Sequence, residues 1–389
     1  MSRRFWRRLF GAVLVLALVL ALVLTGSLIA QLFEYWQQQA LLRSSQQNEQ
    51  LALHMETLLD GLQNHVKRLQ HDAHLALHAD VGAPVLPQFM RPAIASGVGG
   101  YTLDELQQST PSAQLGNVYM AVPPSTPAAA AELRIVWALF PLAAATHLSD
   151  SALQWSYYVS LQLPLVAIYP YRSTERLLRD NNLASLPVFF AEFLAAEIQQ
   201  RIAGELAEQN APLWRPPHID KAGAGWVVAL VAPVRRESQT IGAVSADVRL
   251  PFLSHHLAKL TTAPERTLLI DNEQRVLADS RLSSETSVRL ARLGERLPAS
   301  LAALVPTLTR ANPGWSSAAD YHVLVRPLAH SQWSLVRLIP SDELLFDTRL
   351  RAMAVALPVV LLAGLLLLVW WWRRRDRVIL LSRQPATAR

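Results

Sequence analysis

Residues 218–250 read HIDKAGAGWVVALVAPVRRESQTIGAVSADVRL, and how this stretch pairs with itself decides the fold. Two apolar runs, 226–234 and 240–248, flank a polar segment at 235–239. Val, Ile and Trp fill the runs. These residues suit a pleated, half-buried surface, so the pattern predicts a β-hairpin with a short loop. Gly223 and Gly225 interrupt the chain just before the first strand. Asp247 stands near the end of the second among apolar neighbours. A carboxylate there is costly to bury unless it meets a partner or a ligand. Pro251 then stops the strand and opens a helical segment, FLSHHLAKL.

Outward from the hairpin, the two ends of the chain are membrane-like. Residues 11–30 and 352–372 carry no charge and are apolar all round. Each is long enough to cross a hydrocarbon layer of about 30 Å as a helix. The first is too long for the core of a signal peptide, and its helical pattern runs on, which predicts a retained anchor. Arg3, Arg4, Arg7 and Arg8 precede the first span, and Arg373, Arg374, Arg375 and Arg377 follow the second. Positive flanks predict that both termini are cytoplasmic, with Trp370, Trp371 and Trp372 as an interfacial belt. The arm's +4 and the tail's +5 exceed the +6 of the whole chain, which leaves the remainder at −3. The basic pI of 9.9 is therefore a topology signal and excludes a nucleic-acid footprint. There is no cysteine.

The predicted organisation is a cytoplasmic arm at 1–8, a first transmembrane helix at 9–33 and a stalk helix at 34–80. A membrane-distal module at 81–254 and a membrane-proximal module at 255–345 follow, then a second transmembrane helix at 352–372 and a basic tail at 373–389. In the stalk, Leu51, Met55, Leu58, Leu62, Val66 and Leu69 recur at helical spacing. The unbroken helix would run about 69 Å at ~1.5 Å per residue. Its apolar stripe must pack on the domain it carries or on a second copy. Residues 82–131 read as loops with a short strand at 117–122, and 123–131 as loop. Runs 133–140, 155–162 and 165–169 read as strands. In the second of these, Trp155, Tyr157 and Val159 share one face. Residues 174–181 and 188–208 read as helices. In the proximal block, 266–271 and 275–279 form a hairpin and helix runs through 284–293. Strands at 315–327 and 331–339 follow, and a helix from Ser341 feeds the second span. The two blocks share an order of strands, helical interlude and closing antiparallel pair, a weak internal repeat.

No phosphate-binding glycine loop, paired-histidine zinc helix, paired-cysteine motif or serine nucleophile elbow occurs. The acids Asp220, Asp247 and Asp271 stand at turns or strand ends, where they also serve as turn residues. No enzyme and no cofactor are therefore expected. His71, His74 and His78 share one helix face and read as solvated, with no metal expected. Aromatics with a few polar groups fit a small-molecule pocket. The candidate ligand-binding residues are Asp247, His218, Asp220, Trp214, Tyr157, Trp155, Tyr169 and Tyr171.

One element resembles a known family. It runs Trp214-x-x-x-His218-x-Asp220-x-Ala222-Gly223-x-Gly225-Trp226, then Ala232-Pro233-Val234, then Ile241-Gly242-Ala243-Val244-x-x-Asp247. This is similar to the pattern of the double Cache (dCache) sensor domains of bacterial chemoreceptors, histidine kinases and diguanylate cyclases. Trp155-Ser156-Tyr157-Tyr158-Val159-Ser160 with Ile168-Tyr169-Pro170 looks like the family's adjacent strands. The resemblance implies an α+β fold of two stacked PAS-like modules on a long N-terminal helix, flanked by two transmembrane helices. It implies a sensor of the bacterial inner membrane, with residues of about 34–350 periplasmic. Asp247 matches the aspartate that holds the ligand amine in the family's amino-acid-binding members. His218 stands where the family usually has Tyr, and no Arg-x-Trp-Tyr element precedes it, so nothing obvious holds a carboxylate. The expected ligand is an amine or another small molecule. The tail is too short for an output domain, so the expected partners are a second copy, a separate histidine kinase or a diguanylate cyclase. The alternative reading is a periplasmic protein-binding scaffold, or a sensor remnant without ligand.

Overall fold

The computed structural model describes residues 3–78, 91–92, 99–207, 211–262, 264–282, 290–318, 320–329 and 331–382. The chain opens with α1 (Arg3–His78), β1 (Arg91–Pro92), β2 (Tyr101–Thr102), α2 (Asp104–Ser109), β3 (Asn117–Met120) and α3 (Pro127–Ser149). Next come β4 (Trp155–Ser160), β5 (Leu165–Tyr169), α4 (Thr174–Asp180), α5 (Leu186–Phe193), α6 (Ala196–Ala207), β6 (Leu213–Trp214) and β7 (His218–Asp220). The hairpin is β8 (Gly225–Arg236) and β9 (Gln239–Arg249), followed by α7 (Leu250–Leu260). The last part holds β10 (Arg266–Ile270), β11 (Val276–Asp279), α8 (Leu293–Arg296), a 3-10 turn at Ala299–Thr307, β12 (Gly314–Ala318), β13 (Tyr321–Pro327), β14 (Ser334–Pro340) and α9 (Ser341–Ser382).

Two compact units emerge. One comprises residues 50–316 with 323–338; the other comprises 1–49, 317–322 and 339–389. The chain forms two antiparallel sheets, of which the larger lies wholly in the first unit. The larger has the order β1-β2-β3-β5-β4-β9-β8-β6, with β7 also on β8, and the smaller β11-β10-β14-β13-β12. The hairpin forms as its sequence predicts. Arg236 pairs with Gln239 across a two-residue turn, and Glu237 takes φ 55°, the left-handed backbone that such turns need.

Side chains alternate between the faces of the large sheet. One face, which includes Tyr158, Ala167, Leu230 and Val244, belongs to a continuous core with the stalk and α3. Leu51, Met55, Leu62, Val66 and Leu69 of α1 are buried in it, so between 51 and 73 the stalk's apolar stripe packs on its own domain. Gly242 lies under the Tyr158 ring, where a Cβ would meet the phenol oxygen at 2.6 Å. That close approach explains the glycine of the Ile241-Gly242-Ala243 element.

Four expectations are corrected. Residues 133–140 are not a strand and 127–131 are not loop; both belong to α3. Thr126 caps its N-terminus by accepting from Ala129 N, and Pro127 stands in its first turn. A short apolar run cannot tell strand from buried helix, and the preceding alanines are strong helix formers. The expected single helix at 188–208 is two, α5 and α6, broken after Phe193. The expected strand at 315–327 is two, β12 and β13. The expected helix at 284–293 lies mostly outside the described residues, and its described end holds only the start of α8.

In the other unit, the apolar parts of α1 and α9 expose Leu20, Val23, Leu24, Leu361, Leu362 and Leu365. Side chains of this kind on every face fit a hydrocarbon surround. Within the described residues α3 is also long and apolar enough to cross a membrane, but half of its apolar window is buried. It is a core helix.

Candidate functional site

Asp220 organises the site from below. Its carboxylate accepts from Tyr157 OH at 3.0 Å and Ala222 N at 2.8 Å on one oxygen. The other oxygen accepts from Trp155 Nε1 at 2.8 Å and Ala224 N at 2.7 Å. The Asp220-x-Ala222-Gly223-x-Gly225 element is thus a turn wound around a carboxylate. Gly223 takes φ 91°, and a Cβ there would strike the Arg172–Asp180 ion pair at 2.7 Å. Only glycine fits that position.

The face of the sheet turned away from the stalk carries two separate apolar clusters. Tyr119, Trp155, Ile168, Leu177 and Phe189 form one; Leu206, Ala229, Val231 and Ala243 form the other. Both line a cavity of about 560 Å³. The sheet forms its floor through Tyr157, Val159, Ala229, Val231, Ser245 and Asp247, while α5, α6 and the segment 215–222 supply the remaining wall. The lining is mostly apolar, as a small-molecule site requires, with few polar groups to orient an occupant.

Asp247 is the charged group on the floor. It is 3% exposed. Tyr157 and Ser245 share the floor with it, and Asp220 is its charged neighbour. No cation is paired with it among the described residues. Burial, and then the Asp220 charge, push its carboxyl well above the usual carboxylate range. The same burial and both carboxylates hold the Tyr157 hydroxyl well above its ordinary value.

Of the eight residues the sequence singles out, Asp247, Asp220, Tyr157 and His218 line this cavity. His218 is at its exposed side, its Nδ1 against Pro216 O at 3.0 Å. The other four do not line it. Trp155 packs beside the cavity with its indole N–H committed to Asp220. Strand alternation turns Tyr169 to the stalk face, where its hydroxyl reaches Ala113 O at 2.7 Å. Tyr171 OH donates to Asp104 at 2.8 Å. Trp214 packs against Trp333, the rings tilted by 46° with centroids 4.5 Å apart.

Two cavity residues escape a reading by motif. Arg201 on α6 and Arg215 after β6 put guanidinium groups on the wall. Arg215 pairs with Glu205, and burial with the Arg201 charge lowers its pKa. Lys221 also lines the wall and stands 4.2 Å over the Phe193 ring. Arg215 directly precedes Pro216-Pro217-His218, so proximity to the motif was its one available signal. Among the described residues no group of three acids and histidines is placed to hold a metal ion. His74 of the predicted solvated face instead accepts from Arg235 N at 3.1 Å.

Comparison with known proteins adds the following. No family model matches the chain, and no curated protein matches it. Solved structures do match. Its structural neighbours are ligand-binding sensor domains. The ligand-binding domain of the Pseudomonas aeruginosa amino acid chemoreceptor PctC, in complex with GABA, is 15% identical at a TM-score of 0.46. That match covers 77% of this chain and 99% of the other. The domain of a Campylobacter jejuni chemoreceptor with 4-methylisoleucine is 12% identical at a TM-score of 0.44, covering 79% and 94%. The extracellular domain of a putative histidine kinase is 17% identical at a TM-score of 0.31, covering 39% and 55%.

Proposed function

We propose that this chain is a membrane-anchored receptor whose external part binds a small molecule carrying a protonated amine in the cavity over β4 and β9. The observation that carries this reading is Asp247, a buried carboxylate without a cationic partner among the described residues, opening into an apolar cavity of about 560 Å³. Burying an acid among apolar groups costs free energy whichever form it takes, so folding alone gives no reason for it. An entering ammonium supplies the missing partner, on a floor that Asp247 shares with Tyr157 and Ser245. Arg201 on the same wall gives an anionic group on the occupant a partner as well.

The rest follows from the chain's ends. The arginines outside each apolar helix support two spans with both termini in the cytoplasm, the cytoplasmic membrane of a bacterium, and residues of about 34–350 outside. Residues 81–254 form the distal, ligand-binding module and 255–345 the proximal one. Strand β4 gives the occupant a route inward. Tyr157 faces the cavity, and the adjacent Ser156 meets His65 of the stalk at 2.8 Å on the opposite face. Ligand shifts the balance between two arrangements of these elements. A second copy of the chain, or a separate kinase or cyclase, reads that shift.

A thermal-shift screen of the full chain in detergent, with small ammonium, carboxylate and uncharged compounds, tests the reading. Ammonium compounds should raise the melting temperature saturably. An occupant at 100 times its Kd adds about 2.7 kcal/mol. The gain should vanish in Asp247→Asn. No saturable shift, or the same shift in the variant, sinks the proposal.

A further inference from the structure

We propose that the occupant is an elongated amphiphile, with a cationic end on Asp247 and an apolar body lying across the sheet toward α4 and α5. This rests on the receptor reading above and adds the class of molecule the cavity takes. Strand order sets the geometry. The floor crosses β3, β5, β4, β9 and β8 in that order, and its cavity-facing residues lie in register. Tyr119 is opposite Val166, Val166 opposite Val159, and Val159 opposite Ala243. With neighbouring strands ~4.8 Å apart, the floor extends about 14 Å from the strand of Asp247 to that of Tyr119.

The two ends of this floor differ in chemistry. At the β9–β8 end stand Asp247 and Ser245, and α6, whose Ile202 and Leu206 pack on Ala229 and Val231, brings Arg201 to the wall. At the β3–β5 end the lining is Tyr119, Val166, Ile168, Leu177 and Phe189, all buried. Tyr119 donates its hydroxyl to Arg172 O at 2.6 Å, so the cavity receives its ring. The charged lining residues beside Phe193, Glu192 and Lys221, are exposed. This end therefore offers an occupant hydrocarbon and ring faces. A small cation seated on Asp247 leaves those faces without partner atoms, and a lining that faces a void forfeits its dispersion contacts. An apolar body reaching from β9 to β3 restores them. A volume of about 560 Å³ is likewise that of a site for a drug-sized molecule, not for a bare ammonium.

The experiment uses the full chain in lipid nanodiscs, with equilibrium dialysis against empty nanodiscs to subtract probe taken up by lipid. The probes are ethyl-, butyl- and hexylammonium, with hexanol as the uncharged control. Affinity should rise about fourfold for each added methylene, so hexylammonium should bind ~250-fold tighter than ethylammonium. Hexanol should bind more weakly than hexylammonium, and Asp247→Asn should weaken all three ammonium probes. Val166→Phe, which puts a ring into the apolar end, should cut the hexyl-to-ethyl ratio to below about tenfold. Equal affinities along the series, all lost in Asp247→Asn, overturn the amphiphile and leave the receptor reading intact. No saturable binding of an ammonium probe of any length overturns both. Hexanol binding as tightly as hexylammonium, with Asp247→Asn without effect, removes the cationic end and also overturns both. A folded Val166→Phe that keeps the full ratio overturns the placement of the body; if that variant does not fold, the wild-type series decides.

Discussion

At the scale of single residues, the carboxylates have separate tasks that burial alone does not distinguish. Asp220 is spent on the turn. Asp220→Ala leaves two backbone N–H groups, an indole N–H and a phenol without their acceptor, and should cost about 2–5 kcal/mol in a urea melt. Glu132, on α3, takes a hydrogen bond from Tyr158 OH at 3.1 Å. Burial raises its pKa to about 7, against the pull of hydrogen bonds from Ser160 and Tyr158. The folded chain then binds more protons at Glu132 than the unfolded chain between pH 4.5 and about 7, so this group's contribution to stability falls as pH rises through that window. His65 acts oppositely. Burial first, then His147 and Arg68, lower its pKa to about 3, so its contribution falls as pH drops from 6.5 toward that value. Glu132→Gln should remove this group's loss of stability between pH 4.5 and about 7, so its melting temperature should fall less than that of wild type as pH rises through that window. An unchanged slope would contradict the assignment. Asp247 was legible in the sequence because a lone acid in an apolar strand breaks the alternation. Arg201 was not, because nothing in an amphipathic helix states which face turns to a cavity.

At the scale of elements, the hairpin β8–β9 works through both of its faces and through its tip. Its turn and strand signals were plain in sequence, and so was the stalk's stripe. The helix α3 was hidden because Glu132, Arg134 and Pro141 cut its apolar sequence into a short run that reads equally as a strand, and only the packed sheet settles its type. Arg235, near the hairpin tip, ties neighbouring elements together. Its backbone N–H reaches His74 of α1, and its Nη2 donates to Leu206 O at 2.9 Å and Ala207 O at 2.6 Å, the C-terminal carbonyls of α6. Because Leu206 lines the cavity, that cap holds the cavity's helical wall. Arg235→Ala should lower stability by about 1–3 kcal/mol. It should also raise amide exchange in α6 before the rest of the sheet, as read by hydrogen–deuterium exchange. Uniform exchange across the sheet would contradict this.

At the scale of the molecule, residues 50–316 and 323–338 hold the whole large sheet and every residue named at the site. Trp214, one residue from the cavity-lining Arg215, packs against Trp333, which immediately precedes β14. The same loop meets the stalk where Ala329 N donates to Glu56 at 2.8 Å. Trp333→Ala should cost about 3–5 kcal/mol, measured by urea melt of the full chain. The central claim, an ammonium-binding cavity built on Asp247, is tested most directly by calorimetric titration. The strongest ammonium compound from the screen is titrated against wild type and Asp247→Asn at one pH above neutral. A single saturable site in the wild type, weakened at least about a hundredfold in the variant, is the predicted result. Equal affinity in both proteins, or no site in either, would contradict it.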